Sequence, residues 1–177
     1  PINLVLQAGK GAFAERQSGK LLPDFDVVFP VLHGTDGEDG SIQGLFKAAN
    51  IPFVGCGVLS SAMAMSKLVT KRLLAEAGVN IGNYCYYTVQ ERDEISFAQV
   101  KSQLGLPMII KPANLGSSVG VHKINSEADF ETGLTDCFRY DHEVLIEEFI
   151  TGREMECAVL GSSQEPRASQ TGEIIVQ

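Results

Sequence analysis

The sequence predicts an α/β unit followed by an α+β unit. In the first unit, the near-continuous apolar run 26–32 leads through a glycine-rich loop into a helical pattern, as expected of a strand that is covered on both faces. In the second unit, short apolar runs and glycine-rich turns alternate, which favours mostly antiparallel strands. We predict the boundary between the two units near residues 80–90.

Three elements are predicted in the first unit. Residues 26–32, DVVFPVL, form a buried strand, and residues 51–55, IPFVG, form a second, short strand. Residues 41–49 form a helix between them, because apolar side chains recur there at helical spacing. These side chains are Ile42, Leu45, Phe46 and Ala49. The order β-loop-α-β suggests a doubly wound α/β layer.

The connecting stretch 59–77 is predicted to be helical, in two pieces that are divided near Ser66. Gly78 is a natural C-terminal stop for the second piece. Residues 84–89, YCYYTV, read as a strand or a linker. The apolar residues that share one face of the second piece are Val69, Leu73 and Ala77.

The second unit is predicted to contain two helices and several strands. Gly105 ends the first helix, and Ser126 with Asp129 forms an N-cap pair for the second helix, which ends near Tyr140. The elements in order are a helix with Phe97, Val100 and Leu104 on one face, the strands LPMIIKP and VHKI, a helix with Phe130, Leu134 and Phe138 on one face, and the strands EVLIEEFI, REMECAVL and GEIIVQ.

Residues 33–44, HGTDGEDGSIQG, contain four glycines, three carboxylates and one of the three histidines of the chain. Such a segment is either a surface turn, because Gly and Asp are common turn formers, or a binding loop at the carboxyl end of a strand. We expect its acidic side chains to fix the loop and a lysine by hydrogen bonds.

Residues 109–124, IIKPANLGSSVGVHKI, carry the strongest chemical signal. Lys111 ends an apolar strand, and a loop with two glycines and two serines follows. Glycine lets backbone N–H groups approach a phosphate closely, and a lysine supplies the positive charge. The alternative is a flexible hairpin tip with an incidental lysine.

Two further segments fit a nucleotide site. In residues 143–154, EVLIEEFITGRE, apolar side chains suit an adenine ring and Glu154 could accept ribose hydroxyls; the alternative is an edge strand with solvated glutamates. In residues 66–71, SKLVTK, Lys67 and Lys71 lie one helical turn apart. A solvated basic face is the alternative for this pair.

The composition limits the class of protein. The 177 residues are 44% hydrophobic and carry a net charge of −8, which repels polyanions, so we expect no nucleic-acid partner. No apolar run is long enough to span a bilayer, and we expect no membrane association. The four cysteines show no metal-binding spacing and are expected to be small buried thiols in a reducing cytosol.

Several of these segments together resemble the D-alanine–D-alanine ligases, a family with the ATP-grasp fold. The similarity covers about residues 24 to 177 and lies in the signature HGTDGEDGSIQG, the KP and GSSVG segments, the EEFI segment and the G-x-E that follows it. It implies ATP held between two antiparallel sheets, with Mg²⁺ or Mn²⁺, and a reaction of two D-alanines through an acyl phosphate.

The resemblance also assigns roles to individual residues. It implies contacts of the ATP phosphates with Lys67 and Lys111, with Ser118 in the same hairpin, and a catalytic, loop-locking role for Ser117. It places His33 and Glu38 on the substrate side, with a loop-stabilising histidine as the alternative. The residues implied for the adenine and ribose are Glu147, Glu148, Phe149, Ile150 and Glu154.

The resemblance implies four parts: a partial N-terminal α/β substrate domain (1–60), connecting helices and a linker (61–90), the central ATP-grasp domain (91–152) and the start of the C-terminal domain (153–177). We expect the metal ligands outside these residues, the 177 residues alone to be inactive, and a homodimer. A ligase that joins D-alanine to D-lactate and a non-catalytic nucleotide-binding fragment are the alternatives.

Overall fold

The computed structural model describes residues 2–7 and 10–175. Over these residues, none of the helices is both long enough and apolar enough to cross a bilayer. The chain opens with an antiparallel hairpin of β1 (Ile2–Gln7) and β2 (Lys10–Glu15), which the sequence patterns did not predict. Gly11 of β2 donates to the carbonyl of Ala49 at 2.6 Å and so ties the hairpin to the first helix.

The predicted strands at 26–32 and 51–55 are wrong as extended elements. Each contributes one residue to an isolated parallel bridge, Val28 with Phe53. A proline lacks the N–H that a strand ladder needs, and Pro30 interrupts the first run. The bridge keeps the parallel direction that an α/β layer requires, but the run is not covered on both faces: Val31 is 70% exposed.

The predicted helix at 41–49 is confirmed as α1 (Ser41–Ala48). Its inner face contributes Phe46, which is buried, whereas Leu45 of the predicted face is 46% exposed. The small core of this unit consists of Phe46, Ala49 and Ile51, with Leu4, Phe13, Phe25, Val28, Ile42 and Phe53 packed against them.

The connecting helices α2 (Val58–Met65) and α3 (Lys67–Glu76) are divided at Ser66, as predicted. The Ser66 hydroxyl accepts a hydrogen bond from a backbone N–H of the first turn of α3, which is the role of an N-cap. The chain leaves α3 through Gly78, whose φ of 75° lies in the left-handed region.

The predicted apolar face of α3 is wrong. Leu73 is 49% exposed, and the buried residue of the helix is Leu68. Leu68 packs against Ala113 and Leu145 of the second unit, so α3 rests on the sheet of that unit. The spacing of apolar residues alone does not show this, because one contact with the sheet outweighs a weak helical periodicity.

The second unit is built on a four-stranded antiparallel sheet with the order β3-β6-β4-β5. A short 3₁₀ helix at Val89–Glu94 follows β3. The elements are β3 (Tyr84–Thr88), α4 (Phe97–Leu104), β4 (Met108–Pro112), β5 (His122–Ile124), α5 (Glu127–Cys137) and β6 (Glu143–Glu148).

The helices of this unit begin and end largely where local signals predict. Ser126 and Asp129 form a capping box at the start of α5, and Gly105 follows α4 with a φ of 75°. The helix α5 ends at Cys137, one turn earlier than predicted. The core between helices and sheet consists of Cys85, Ile95, Val100, Met108, Ile110, Ile124, Phe130, Leu134, Cys137, Val144 and Ile146.

The predicted single strand REMECAVL is wrong. It forms two short strands, β7 (Glu154–Glu156) and β8 (Val159–Gly161), which pair with β10 (Gly172–Ile174) and β9 (Pro166–Ala168), respectively. Ala158 N–H donates to the hydroxyl of Ser169 at 3.0 Å, outside either ladder, so the strand is interrupted there. Residues 176 and 177 of the last predicted strand lie outside the described residues.

Candidate functional site

The two faces of the four-stranded sheet have different roles. On β4 and β6, alternate side chains such as Ile110 and Ile146 point to the helices α4 and α5 and are fully buried. The residues between them, including Lys111 and Glu147, point to the opposite face. Because Ile109 is paired with Glu147, the lysine and the glutamate are diagonal neighbours on that face.

The carboxylate of Glu147 lies between two lysines. Lys111 contacts its Oε2, and Lys71 Nζ lies 3.1 Å from its Oε1. The Glu147 side chain is only 14% exposed. A carboxylate at this depth needs a positive partner, and here it has two. Its Oε1 is enclosed, and among the described residues its partner is the Lys71 ammonium group, as an ion pair without a hydrogen bond of good geometry.

Lys67 joins the site to the glycine hairpin at residues 113–121. Its backbone N–H donates to the carbonyl of Ala113 at 2.9 Å, and its ammonium group donates to the carbonyl of Leu115. Burial lowers the pKa of Lys67, and the nearby charge of Lys111 lowers it further. An anion bound here would relieve the repulsion between these two lysines.

The tip of the hairpin offers unused hydrogen-bond donors. Ser117 and Ser118 have φ values of 52° and 57°, in the left-handed region, and both residues are exposed. Across residues 2–7 and 10–175, neither hydroxyl and neither backbone N–H has a hydrogen-bond partner. Such donors beside two lysines suit a phosphate group.

The root of the hairpin, by contrast, is fixed by hydrogen bonds. The backbone N–H of Asn114 donates to Asp141 at 2.7 Å, and its side-chain amide donates to Glu143 at 3.0 Å. The Tyr86 hydroxyl also donates to Glu143, and these two hydrogen bonds, that of Tyr86 first, lower the pKa of the Glu143 carboxyl. Sequence reasoning missed this network, since its members lie on three separate elements.

The segment predicted for the adenine lies at the end of β6. The carboxylate of Glu148 accepts a hydrogen bond of 2.7 Å from the backbone N–H of Asn83. Phe149 and Ile150 are 38% and 67% exposed and present apolar surface, and Lys123 Nζ lies 3.9 Å from the centre of the Phe149 ring. Glu154, predicted for the ribose, is exposed at the start of β7.

The acidic loop at 33–44 is held mainly by its own carboxylates. Glu38 accepts from the backbone N–H of Gly34, and Asp39 accepts from those of Asp36 and Ser41. These hydrogen bonds, that from Asp36 first, lower the pKa of Asp39. His33 is exposed. The expected hydrogen bond between the loop and a lysine does not form within the part of the chain that the structure describes.

A cavity of about 440 Å³ lies beneath this loop and is lined by Leu32, Glu38, Gln43, Cys56 and Met65, among others. Gln43, not singled out from the sequence, is 7% exposed and donates through Nε2 to the carbonyl of Gly37 at 2.9 Å. The structure therefore brings the lysines and the hairpin together, and no hydrogen bond or ion pair among the described residues joins them to His33 or Glu38.

Among the described residues, no three His, Cys, Asp or Glu side chains come together as a metal site would require. The expectation that the metal ligands lie outside these residues stays a prediction.

The comparison with protein families gives two matches. Residues 5–56 match the model described as D-ala D-ala ligase N-terminus, and residues 73–177 match the model described as D-ala D-ala ligase C-terminus. Among curated proteins, the chain is 53% identical over 162 residues to D-alanine–D-alanine ligase A of Escherichia coli K12. That alignment covers 92% of this chain and 44% of the relative, so the chain spans less than half of its length.

Solved structures give the same answer. The D-alanine–D-alanine ligase from Coxiella burnetii superposes with a TM-score of 0.85 at 35% identity, over 97% of this chain and 50% of that one. The VanG D-Ala:D-Ser ligase from Enterococcus faecalis superposes with a TM-score of 0.82 at 33% identity, over 97% and 49%. The predicted combination of α/β and α+β units is confirmed by this similarity.

Proposed function

Because this chain belongs to the D-alanine–D-alanine ligase family, with its ATP-grasp fold, we propose that its protein joins two D-alanines to D-alanyl-D-alanine at the expense of ATP. The reaction would proceed through an acyl phosphate and serve the synthesis of peptidoglycan precursors. One observation carries the proposal: Lys67 and Lys111 flank the fixed root of a hairpin whose tip has donors without a partner among the described residues.

The described residues fit ATP. Lys67 and Lys111 would hold the phosphates, and the N–H groups and hydroxyls of Ser117 and Ser118 would donate to phosphate oxygens. ATP, with Mg²⁺ or Mn²⁺, would supply the phosphoryl group that activates the first carboxylate. The chain's own residues bind and orient it and shield it from water.

The base and ribose would occupy the end of β6. The apolar surfaces of Phe149 and Ile150 suit the faces of an adenine, and the Glu147–Ile150 segment supplies polar groups for its edge. Glu148, tied to Asn83, would then fix the segment rather than contact the base. Glu154, exposed nearby in the chain, would accept ribose hydroxyls.

The proposed D-alanine site is formed by the acidic loop at residues 33–44. Glu38 holds the loop closed through Gly34, which leaves the exposed His33 to face a substrate. The domain division at residues 60, 90 and 152, a cytoplasmic location and a homodimer complete the proposal, and family resemblance is their support.

The direct test is an assay of the complete protein with ATP and D-alanine, in which D-alanyl-D-alanine and phosphate are both measured. D-lactate and D-serine are supplied as competing second substrates, the latter because one structural relative is named a D-Ala:D-Ser ligase. We expect the dipeptide to be the main product. If the main product instead contains D-lactate or D-serine, that compound is the second substrate. ATP binding without any ligation would favour a non-catalytic protein.

Replacing Ser117 by alanine is expected to uncouple the reaction. An acyl phosphate must be shielded from water, and the free hydroxyl at the hairpin tip can hold a closed site together. ATP affinity should stay nearly intact, because Lys67, Lys111 and the backbone N–H groups remain. The measured ratio of phosphate to D-alanyl-D-alanine should rise above one.

The control is Ser102→Ala, a serine on the exposed side of α4. It should leave both the ratio and the turnover unchanged. If Ser117→Ala also keeps a one-to-one ratio with normal turnover, Ser117 belongs only to the framework of the hairpin.

A further inference from the structure

We infer that Lys71 is a positioning residue, the permanent counter-ion of Glu147 that frees Lys111 to exchange this glutamate for a nucleotide phosphate. The inference rests on the proposed ATP site and adds a residue to it. Sequence patterns bring Lys71 only to a helix face, one turn from Lys67. The packing of α3 on the sheet gives it a specific partner.

Lys71 is held from several sides. Its ammonium group lies 3.1 Å from Oε1 of Glu147, 3.4 Å from the carbonyl of Gly82 and 5.1 Å from the centre of the Tyr84 ring. Its side chain is 16% exposed. These contacts come from two chain segments, residues 82–84 and β6, and they hold the ammonium group in place when a ligand arrives.

Lys111 is held differently. Among residues 2–7 and 10–175, Glu147 is the only hydrogen-bond or ion-pair partner of its ammonium group, and its side chain is 22% exposed. A lysine has a flexible stem of four carbons and can swing to a phosphate. To do so it must leave Glu147.

The cost of that exchange depends on Lys71. A carboxylate that is only 14% exposed is strongly destabilised when it loses its last positive partner. With Lys71 in place, Glu147 keeps one partner while Lys111 turns to the phosphate. Without Lys71, Lys111 must remain with Glu147, and phosphate binding weakens.

A purely structural role for Lys71, as a strut between α3 and the sheet, makes a different prediction. A strut would weaken binding by the same factor whether or not residue 147 is charged. The counter-ion role requires the effect to vanish when the charge of Glu147 is removed. The two roles are therefore separated by a double-mutant cycle.

The experiment uses the complete protein in four forms: wild type, Lys71→Met, Glu147→Gln and the double variant. Calorimetry measures the Kd of ATP and of inorganic tripolyphosphate, which lacks base and ribose and reports on the lysines alone. We expect Lys71→Met to weaken tripolyphosphate binding about tenfold in the wild-type background and by less than about twofold beside Glu147→Gln.

Two controls accompany the cycle, and thermal unfolding shows that each variant is folded. Lys47→Met removes an exposed lysine of α1 and should leave both Kd values unchanged. Lys71→Arg keeps the charge and should bind within about threefold of the wild type, which also keeps the test open if Lys71→Met does not fold.

Three results would overturn the inference: equal weakening of binding in both backgrounds, unchanged binding by Lys71→Met, or a loss of affinity in Lys71→Arg as large as in Lys71→Met. In each case, ATP binding by the wild type would still uphold the nucleotide site. A wild-type protein that does not bind ATP would overturn the proposed function and this inference with it.

Discussion

Replacing Phe130 by alanine is expected to lower the free energy of unfolding by about 3–5 kcal/mol, the largest stability effect of any change considered for this protein. Phe130 lies on α5, is fully buried against the sheet, and meets the ring of Phe97 edge-on with centroids 5.3 Å apart. Alanine removes most of these contacts and leaves a cavity between helix and sheet. Urea unfolding of the complete protein, followed by circular dichroism, measures the loss.

The matched control is Phe130→Leu, which keeps most of the apolar volume and should cost less than about 1.5 kcal/mol. If Phe130→Ala lowers the free energy of unfolding no more than Phe130→Leu does, the core of the second unit is not packed as described. The sheet that carries Lys111 and Glu147 is then less rigid than the contacts indicate.

Replacing Lys111 by alanine should weaken ATP binding by roughly 1.5–3 kcal/mol, the scale of a hydrogen bond to a charged group. This is about a tenfold to 150-fold rise in Kd. The fold should survive, because Lys71 still balances the charge of Glu147. Calorimetry of the complete protein with ATP gives the affinity, and the unfolding temperature confirms that the variant is folded.

Lys101→Ala is the control for the loss of a positive charge. Lys101 is exposed on α4, the helix on the opposite face of the sheet, and its removal should not change the Kd of ATP. Unchanged ATP affinity in Lys111→Ala would remove Lys111 from the phosphate site and leave it as a partner of Glu147 alone.

The second unit was predictable from sequence because its signals are local. Ser126 and Asp129 predict a capping box from a stretch of only four residues. Gly105 ends α4 in a conformation that glycine adopts readily. The strands at 108–112 and 143–148 were predictable from apolar residues bounded by polar ones. Each of these features depends on neighbours along the chain.

The first unit was harder because its strands depend on neighbours in space. The run 26–32 has the composition of a buried strand, yet among the described residues only Val28 of this run has a backbone partner, and Phe29 is 71% exposed. In the same way, β7 and β8 were predicted as one strand, because the alternation of side chains does not show that they pair with two different strands. Pairing, which apolar patterns do not encode, decides both cases.

The candidate site shows the same division. Lys111 could be proposed from sequence because it lies next to a recognisable turn, whereas Lys67 was proposed from the family resemblance. The pairing of Lys71 with Glu147 could not be predicted, since it requires the packing of α3 on the sheet. His33 and Glu38 stay a prediction, because no contact in the described residues links their loop to the lysines.

The strand order β3-β6-β4-β5 also has a consequence for how the protein is made. β4 and β5 are separated only by the glycine hairpin and can pair soon after they are synthesised, whereas Tyr84 of β3 must wait for Glu147 of β6. Closing so long a loop is entropically costly and slows folding. Because β6 is the strand that enters between β3 and β4, it completes the sheet and delivers Glu147 to its two lysines in the same event. The nascent chain therefore carries Lys71 and Lys111 without their carboxylate until β6 has left the ribosome.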